Sequence, residues 1–315
     1  LDNLSANESL PEGRALTGLE VSPSVVRLNG PYDYVQLLVT GVLDSEDRID
    51  VTRMAKYTLP EEAGRVSVTG EVHAHRDGYA ALVAEVGEHV LGVPIAAQGV
   101  TEHEPISYVQ DVMPVISKLG CNAGTCHGSK EGKDGFKLSL RGYDPLFDVR
   151  AWTDDLKARR INLSSPDDSL MLLKATGAVP HVGGQLTHPG SDYYEIIRRW
   201  IAEGATLDLD APRVASITIE PHNPVIQDIG GRQQMRVVGT YSDGTMRDVT
   251  AESFIESGNT DVAVVNSDGV VTTLRRGEAP VLARFEGAYA ATTVTAMGDR
   301  SGFEWQEPET WNRID

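Results

Sequence analysis

Cys121-Asn122-Ala123-Gly124-Thr125-Cys126-His127 places both cysteines of the chain on one short loop and sets an imidazole directly after the second. Two such thiols can reach the two vinyl groups of a single porphyrin, and the adjacent imidazole can then meet the iron from one face. The usual spacing leaves two residues between the cysteines. Four occur here, which loops out extra backbone, and Gly124 makes such a bulge easier. The motif therefore predicts covalently attached haem c, one per chain, on Cys121 and Cys126 with His127 as the proximal ligand. Three other chemistries use the same residue types. A zinc site needs a distant fourth ligand, a local disulfide leaves His127 incidental, and a redox thiol pair favours the two-residue spacing that tunes thiolate pKa.

A second axial ligand has three side-chain candidates. His181 lies 54 residues after His127, in Pro180-His181-Val182-Gly183-Gly184, a loop able to bring backbone close to a porphyrin face. It is the preferred ligand. His188, in Thr187-His188-Pro189, and Met171, within the apolar run Leu170 to Leu173, are the alternatives; methionine in such a run ordinarily fills core. Water, lysine or an open position also remain. Two neutral imidazoles on iron would make an electron carrier rather than a haem enzyme, and no Ser-His-Asp or paired-carboxylate constellation stands out. Arg141 suits a propionate and Trp200 a porphyrin edge, although a surface salt bridge and plain helix packing suit them equally. His73, His75, His89 and His222 read as surface residues of β modules. Asp243-Gly244 and Asp268-Gly269 read as hairpin turns rather than calcium loops.

The elements that must position this site are few. Asp111 can cap a turn that tolerates Pro114 and continues through Val112, Val115, Ile116 and Leu119 to Gly120. Ser165-Pro166-Asp167-Asp168 carries a capping Ser, a Pro at the first helical position and first-turn acids ahead of Leu170 to Ala175. Asp192 to Glu203 shows Ile196, Ile197, Trp200 and Ile201 on one face and stops at Gly204. Three short helices among long Gly/Pro-bearing loops make a thin core, and such a segment calls for a cofactor to fill it.

The ends of the chain repeat one pattern at an offset of 198 residues. Leu19-Glu20-Val21-Ser22-Pro23 matches Ile217-Thr218-Ile219-Glu220-Pro221, Gly41 matches Gly239, and Asp50-Val51-Thr52 matches Asp248-Val249-Thr250. Short alternating runs separated by Ser242-Asp243-Gly244, Ser267-Asp268-Gly269 and Glu286-Gly287 predict a β-sandwich in each copy. On Ile217 to Pro221, Tyr241 to Thr245, Asp248 to Thr250 and Ser267 to Val271, the second copy resembles bacterial immunoglobulin-like domains of group 2 (BIG2). The first copy replaces the Asp-Gly turn by Asp44-Ser45-Glu46-Asp47, so its assignment rests on the repeat.

Residues 105–205 resemble the cytochrome c domain typical of planctomycete proteins. The likeness rests on Asp111-Val112-Met113-Pro114-Val115, Cys121 to Gly128, Gly135-Phe136, Leu138, Leu140-Arg141-Gly142-Tyr143-Asp144, Ser169-Leu170, Lys174-Ala175-Thr176-Gly177, Pro180-His181-Val182-Gly183-Gly184, and Trp200-Ile201 with Glu203-Gly204. It implies covalent haem c assembled outside the cytoplasm. The expected organisation is an immunoglobulin-like domain over 1–104, a small mainly α cytochrome c-like domain over 105–206, a second immunoglobulin-like domain over 207–298, and a linker over 299–315 into a further domain.

Composition narrows the partners. The formal charge is −18, from 28 Lys and Arg against 46 Asp and Glu, and no basic run occurs, which argues against nucleic acid. Residues 105–205 hold 12 basic and 12 acidic residues, so the acidity belongs to the flanking modules. No apolar stretch of about 18 residues could span a bilayer, and the start Leu1-Asp2-Asn3 lacks a basic or apolar leader, as in a mature or excised chain. Two functions follow. One is a periplasmic or otherwise extracytoplasmic electron-transfer module serving a redox protein partner or a downstream domain. The other is a cell-surface structural, glycan-binding or protein-binding module in which the cysteine motif is only a structural site.

Overall fold

The computed structural model describes residues 8–102, 104–154, 159–299, 304 and 306. All of the expected linker except residues 299, 304 and 306 lies outside the described residues.

Ten strands form the first region: β1 (Leu16–Ser22), β2 (Val26–Leu28), β3 (Tyr34–Gln36), β4 (Leu38–Leu43), β5 (Arg48–Asp50), β6 (Lys56–Thr58), β7 (Gly64–Val66), β8 (Glu71–Ala74), β9 (Gly78–Val86) and β10 (His89–Ala97). They make three sheets, ordered β1-β4-β5, β2-β10-β9-β6 and β3-β8-β7. Ten more follow the central segment: β11 (Val214–Glu220), β12 (Val225–Ile226), β13 (Arg232–Gln234), β14 (Arg236–Tyr241), β15 (Met246–Asp248), β16 (Phe254–Ser257), β17 (Ala263–Val265), β18 (Val270–Thr273), β19 (Gly277–Phe285) and β20 (Ala288–Ala296). Their sheets run β11-β14-β15, β12-β20-β19-β16 and β13-β18-β17, the same connectivity strand for strand.

Alternation explains the layers. In β19, Ala279, Val281, Ala283 and Phe285 are buried while Glu278, Pro280 and Leu282 between them face solvent or the edge, as a two-residue period requires. The repeated glycines have a shared purpose. A Cβ on Gly41 would lie 2.6 Å from Leu16 Cδ2, and one on Gly239 3.3 Å from Val214 Cγ2. Leu16 and Val214 open β1 and β11, each at a register shift, so glycine opposite lets the bulged residue fold inward.

The expected small, mainly α, cytochrome c-like domain is not what forms between these sheets. Strands take 35% of the chain and helices 15%, and among the described residues the central segment holds four short α-helices, the first preceded by a π-helical turn at Tyr108–Val112, joined by turns and loops. These are α1 (Met113–Lys118), α2 (Pro145–Thr153), α3 (Leu170–Ala175) and α4 (Asp192–Ala202). Left-handed glycines stop three of them: Gly120 after α1, Gly177 after α3 and Gly204 after α4. Ser107 caps the π-helical turn that runs into α1: its hydroxyl accepts from Gln110 N, while Asp111 reaches back to accept from Ser107 N. Pro166–Asp168 is a separate single turn, and α3 starts only after Ser169. The central core gathers Tyr108, Val112, Ile116, Leu138, Trp152, Leu172, Ile197, Trp200 and Ile201.

The two β regions touch reciprocally. Gln36 N donates to Asp248 Oδ2 at 2.9 Å, and its repeat-equivalent Gln234 N donates to Asp50 Oδ2 at 2.6 Å. Ser22 and Glu220, themselves equivalent, meet at 3.4 Å. Arg247 ties in the central segment, pairing with Asp33 at 3.2 Å and Asp111 at 3.1 Å.

Candidate functional site

The loop after α1 is wound tightly by its own backbone. Cys121 N donates to Ile116 O, Cys126 N to Ala123 O, His127 N to Cys121 O and Gly128 N to Ala123 O, all at 2.9–3.1 Å. Leu138 N then donates to His127 O at 2.8 Å, which pins the following hairpin-like turn against the motif. Both cysteines are free thiols. Cys121 packs against the central core, and burial pushes its thiol up to about 12, so it stays protonated at neutral pH. That is poor chemistry for a thiolate zinc ligand or a redox pair.

His127 is half-buried. Its Nδ1 lies 3.1 Å from Phe136 O, a contact that selects the tautomer with the proton on Nδ1 and leaves Nε2 as an acceptor. Burial lowers its pKa, so the ring is neutral at physiological pH. The ring rests on Phe136 at 4.7 Å, and Phe136 in turn on Trp152 at 4.5 Å. Across from it stands His181: the ring centres are 6.5 Å apart and the planes differ by 6°. His181 Nδ1 is buried without a hydrogen-bond partner. Gly183 gives this ring its space, since a Cβ there would come within 2.9 Å of His181 Cε1.

Both imidazoles and both cysteines line one cavity of about 300 Å³, together with Ile116, Leu119, Phe136, Trp152, Met171, Leu186 and Ile197. Met171 is therefore at the site as part of its apolar wall. His188 does not line the cavity; it is exposed, with Nδ1 3.2 Å from Pro189 O. Arg141 and Trp200 are also absent from the lining. Trp200 packs on Tyr108 at 5.2 Å and donates from Nε1 to Thr206 O, so it is core. The basic residues that do line the cavity, Lys133, Arg159, Arg160 and Lys174, escape sequence reasoning because they come from two separate loops and α3. His73 is no surface residue: its side chain is largely buried beside Glu71 at 2.7 Å.

Residues 213–285 match the family of bacterial Ig-like domains, group 2. Ice-binding protein 1 of Shewanella frigidimarina (strain NCIMB 400) is 32% identical over 124 residues, which is 39% of this chain and 13% of that protein. Solved structures that are similar include domains 5–6 of the S-layer protein SbsC, at TM-score 0.35 and 11% identity over 90% of this chain and 99% of that one. Domains 1–6 of the same surface layer protein give TM-score 0.25 and 9% identity, covering 90% of this chain and 28% of that one.

No cytochrome stands among these relatives. Among the described residues, no group of three or more His, Cys, Asp and Glu side chains gathers to hold a metal ion by itself. The identification as an electron-transferring planctomycete cytochrome is thus overturned. The chain is β-rich, and the family match lies at residues 213–285. No helix among the described residues is long and apolar enough to cross a membrane.

Proposed function

We propose that this chain is a cell-surface structural module in which two immunoglobulin-like units brace a central segment, and that one covalently attached haem c fastens that segment. The group 2 match over 213–285 and the curated relative, named an ice-binding protein, support the first part. One observation carries the second: His127 and His181 face each other in parallel across an apolar cavity at 6.5 Å. Rings in stacking contact would sit closer. A haem in that gap would be held by His127 and His181, and because its porphyrin brings its own nitrogens the two imidazoles would suffice as protein ligands.

The remaining residues fit the same group. Cys121 and Cys126 are reduced and offer their thiols from one loop for thioether bonds. His127 presents an unprotonated Nε2, and the otherwise unpartnered His181 gains a bonding role. Lys133, Arg159, Arg160 and Lys174 ring the cavity with positive charge suited to propionates. When bound, the group supplies a large flat apolar body to a core that is otherwise thin. This attachment goes with an extracytoplasmic, periplasmic or surface location.

Acid-acetone treatment of the purified chain, followed by mass measurement, tests the reading. The mass of one haem should stay with the protein, and should be lost in Cys121→Ser/Cys126→Ser. Colour leaving with the solvent, or a wild-type mass of the bare polypeptide, overturns it.

A further inference from the structure

The Asp-Val-Thr motif that marks the repeat has two tasks. Within each unit one carboxylate oxygen accepts from the motif's own Thr: Thr52 N to Asp50 Oδ1 at 2.8 Å, and Thr250 N to Asp248 Oδ1 at 3.1 Å. The other oxygen crosses to the opposite unit, Asp50 to Gln234 N and Asp248 to Gln36 N. Those amides lie on β3 and β13, which are edge strands of their sheets and need an outside acceptor. Both acids are buried, with side chains 1% and 0% exposed. Different arginines neutralise them: Arg53 pairs with Asp50 at 2.9 Å and Arg236 with Asp248 at 2.8 Å. Residue i touching j while the equivalent of j touches the equivalent of i is the pattern of a two-fold interface. The contact between Ser22 and Glu220 marks its axis.

The central segment leaves and re-enters this assembly at one place. Ile106 N donates to Glu203 Oε2 at 2.7 Å, Tyr108 N to Asp208 Oδ1 at 3.0 Å, and Gln110 Nε2 to Pro212 O at 3.0 Å. Its two ends are therefore held together, and the segment is a closed loop hung from a docked pair.

We propose that this reciprocal docking is a load-bearing clasp: the two β units pass tension directly to each other, and the central segment with its cavity stays out of the load path. The proposal deepens the structural reading above and does not depend on the haem. The hydrogen bonds from Gln234 N and Gln36 N onto buried, arginine-paired carboxylates at the two halves of a two-fold interface must break together, whereas a loop with a thin core would extend under small force if it lay in series.

The test is single-molecule stretching of the full chain from its two ends. In the wild type, the central stretch of roughly 100 residues, worth about 350 Å of extended chain, should lengthen only with or after rupture of the clasp. In Asp50→Asn/Asp248→Asn, where one remaining carbonyl oxygen must serve both the motif's own Thr and the opposite Gln amide and the charge paired with arginine is lost, it should lengthen first and at half the force or less. Glu62→Gln, which removes an exposed pair with Arg76, should behave as wild type. Ser22→Cys/Glu220→Cys, made in a Cys121→Ser/Cys126→Ser background and bridged with a short bifunctional thiol reagent, should join the units across the axis and restore late lengthening to the Asn variant. Early lengthening in the wild type, an unchanged order in the Asn variant, or failure of the cross-link overturns the clasp. The cross-link decides the matter even if the Asn variant does not fold. A wild-type chain that carries no haem yet shows the clasp sinks the cofactor reading alone.

Discussion

Two glycines in one loop should respond to alanine with opposite signs. A Cβ on Gly128, the residue after the Cys-His pair, would overlap the carbonyl oxygen of Asn122 and lie 2.7 Å from its carbonyl carbon. These are backbone atoms, held by Gly128 N donating to Ala123 O and by Arg141 N donating to Asn122 O, so no rotamer change relieves the clash. The loop must open, which places the cost at the upper end of overpacking, about 3 kcal/mol, or roughly 10 °C or more in a segment of this size. On Gly124 the nearest atom to a new Cβ is Leu140 Cδ1 at 3.6 Å, an ordinary contact, and φ is not left-handed. Gly124→Ala should therefore be neutral or stabilise by about 0.5 kcal/mol through the unfolded chain. Thermal and urea melts of the purified variants, with hydrogen exchange at Leu138 N as a local reporter, measure both. Equal stability of the two variants, or a larger loss in Gly124→Ala, would refute the loop geometry.

Three further outcomes are expected. Glu286 sits with its carboxyl pushed up to about 7 by burial, against the pull of Arg213 and Arg247. A raised carboxyl pKa means that stability falls as pH climbs from the unfolded value, near 4.5, through 7, so Glu286→Gln should gain up to about 3 kcal/mol at pH 8 and nothing below pH 4; urea melts across that range check the slope. Trp200→Ala removes a side chain 1% exposed and should cost about 4 kcal/mol, read as a fall in urea midpoint. Arg247→Ala strands Asp33 and Asp111 and should cost about 3 kcal/mol, with Arg247→Lys recovering only part because one ammonium cannot fork to both acids.

The strands of the carboxy-terminal unit are legible in sequence because Asp-Gly and Glu-Gly turns punctuate alternating runs, and Asp248-Val249-Thr250 stands at a strand end where its acid caps its own Thr. What the repeat cannot reveal is that the same acid has a second, distant partner, since a carboxylate's other oxygen leaves no mark on neighbouring residues. In the central segment α4 is plain from its apolar face and Ser191 cap. The helix α2 carries an equally good start in Asp144-Pro145, with Asp144 accepting from Phe147 N, but Leu146 and Phe147 are exposed and blur its period. Gly124 looks like the residue that eases the long cysteine spacing, while the close approach belongs to Gly128. The facing of His127 and His181 follows from tertiary packing on Phe136 and from the space at Gly183, neither of which a spacing of 54 residues can express.

Hydrogen exchange compared between the haem-loaded chain and Cys121→Ser/Cys126→Ser tests the fastening role most directly. If haem braces the central segment, amides there, Cys121, His127 and Leu138 among them, should lose protection at least 100-fold in the serine variant. Those in β19 and β20 should exchange at the same rate in both chains. Equal protection of the central amides with and without the thiols would contradict a cofactor-fastened segment and leave the two β units to hold the structure alone.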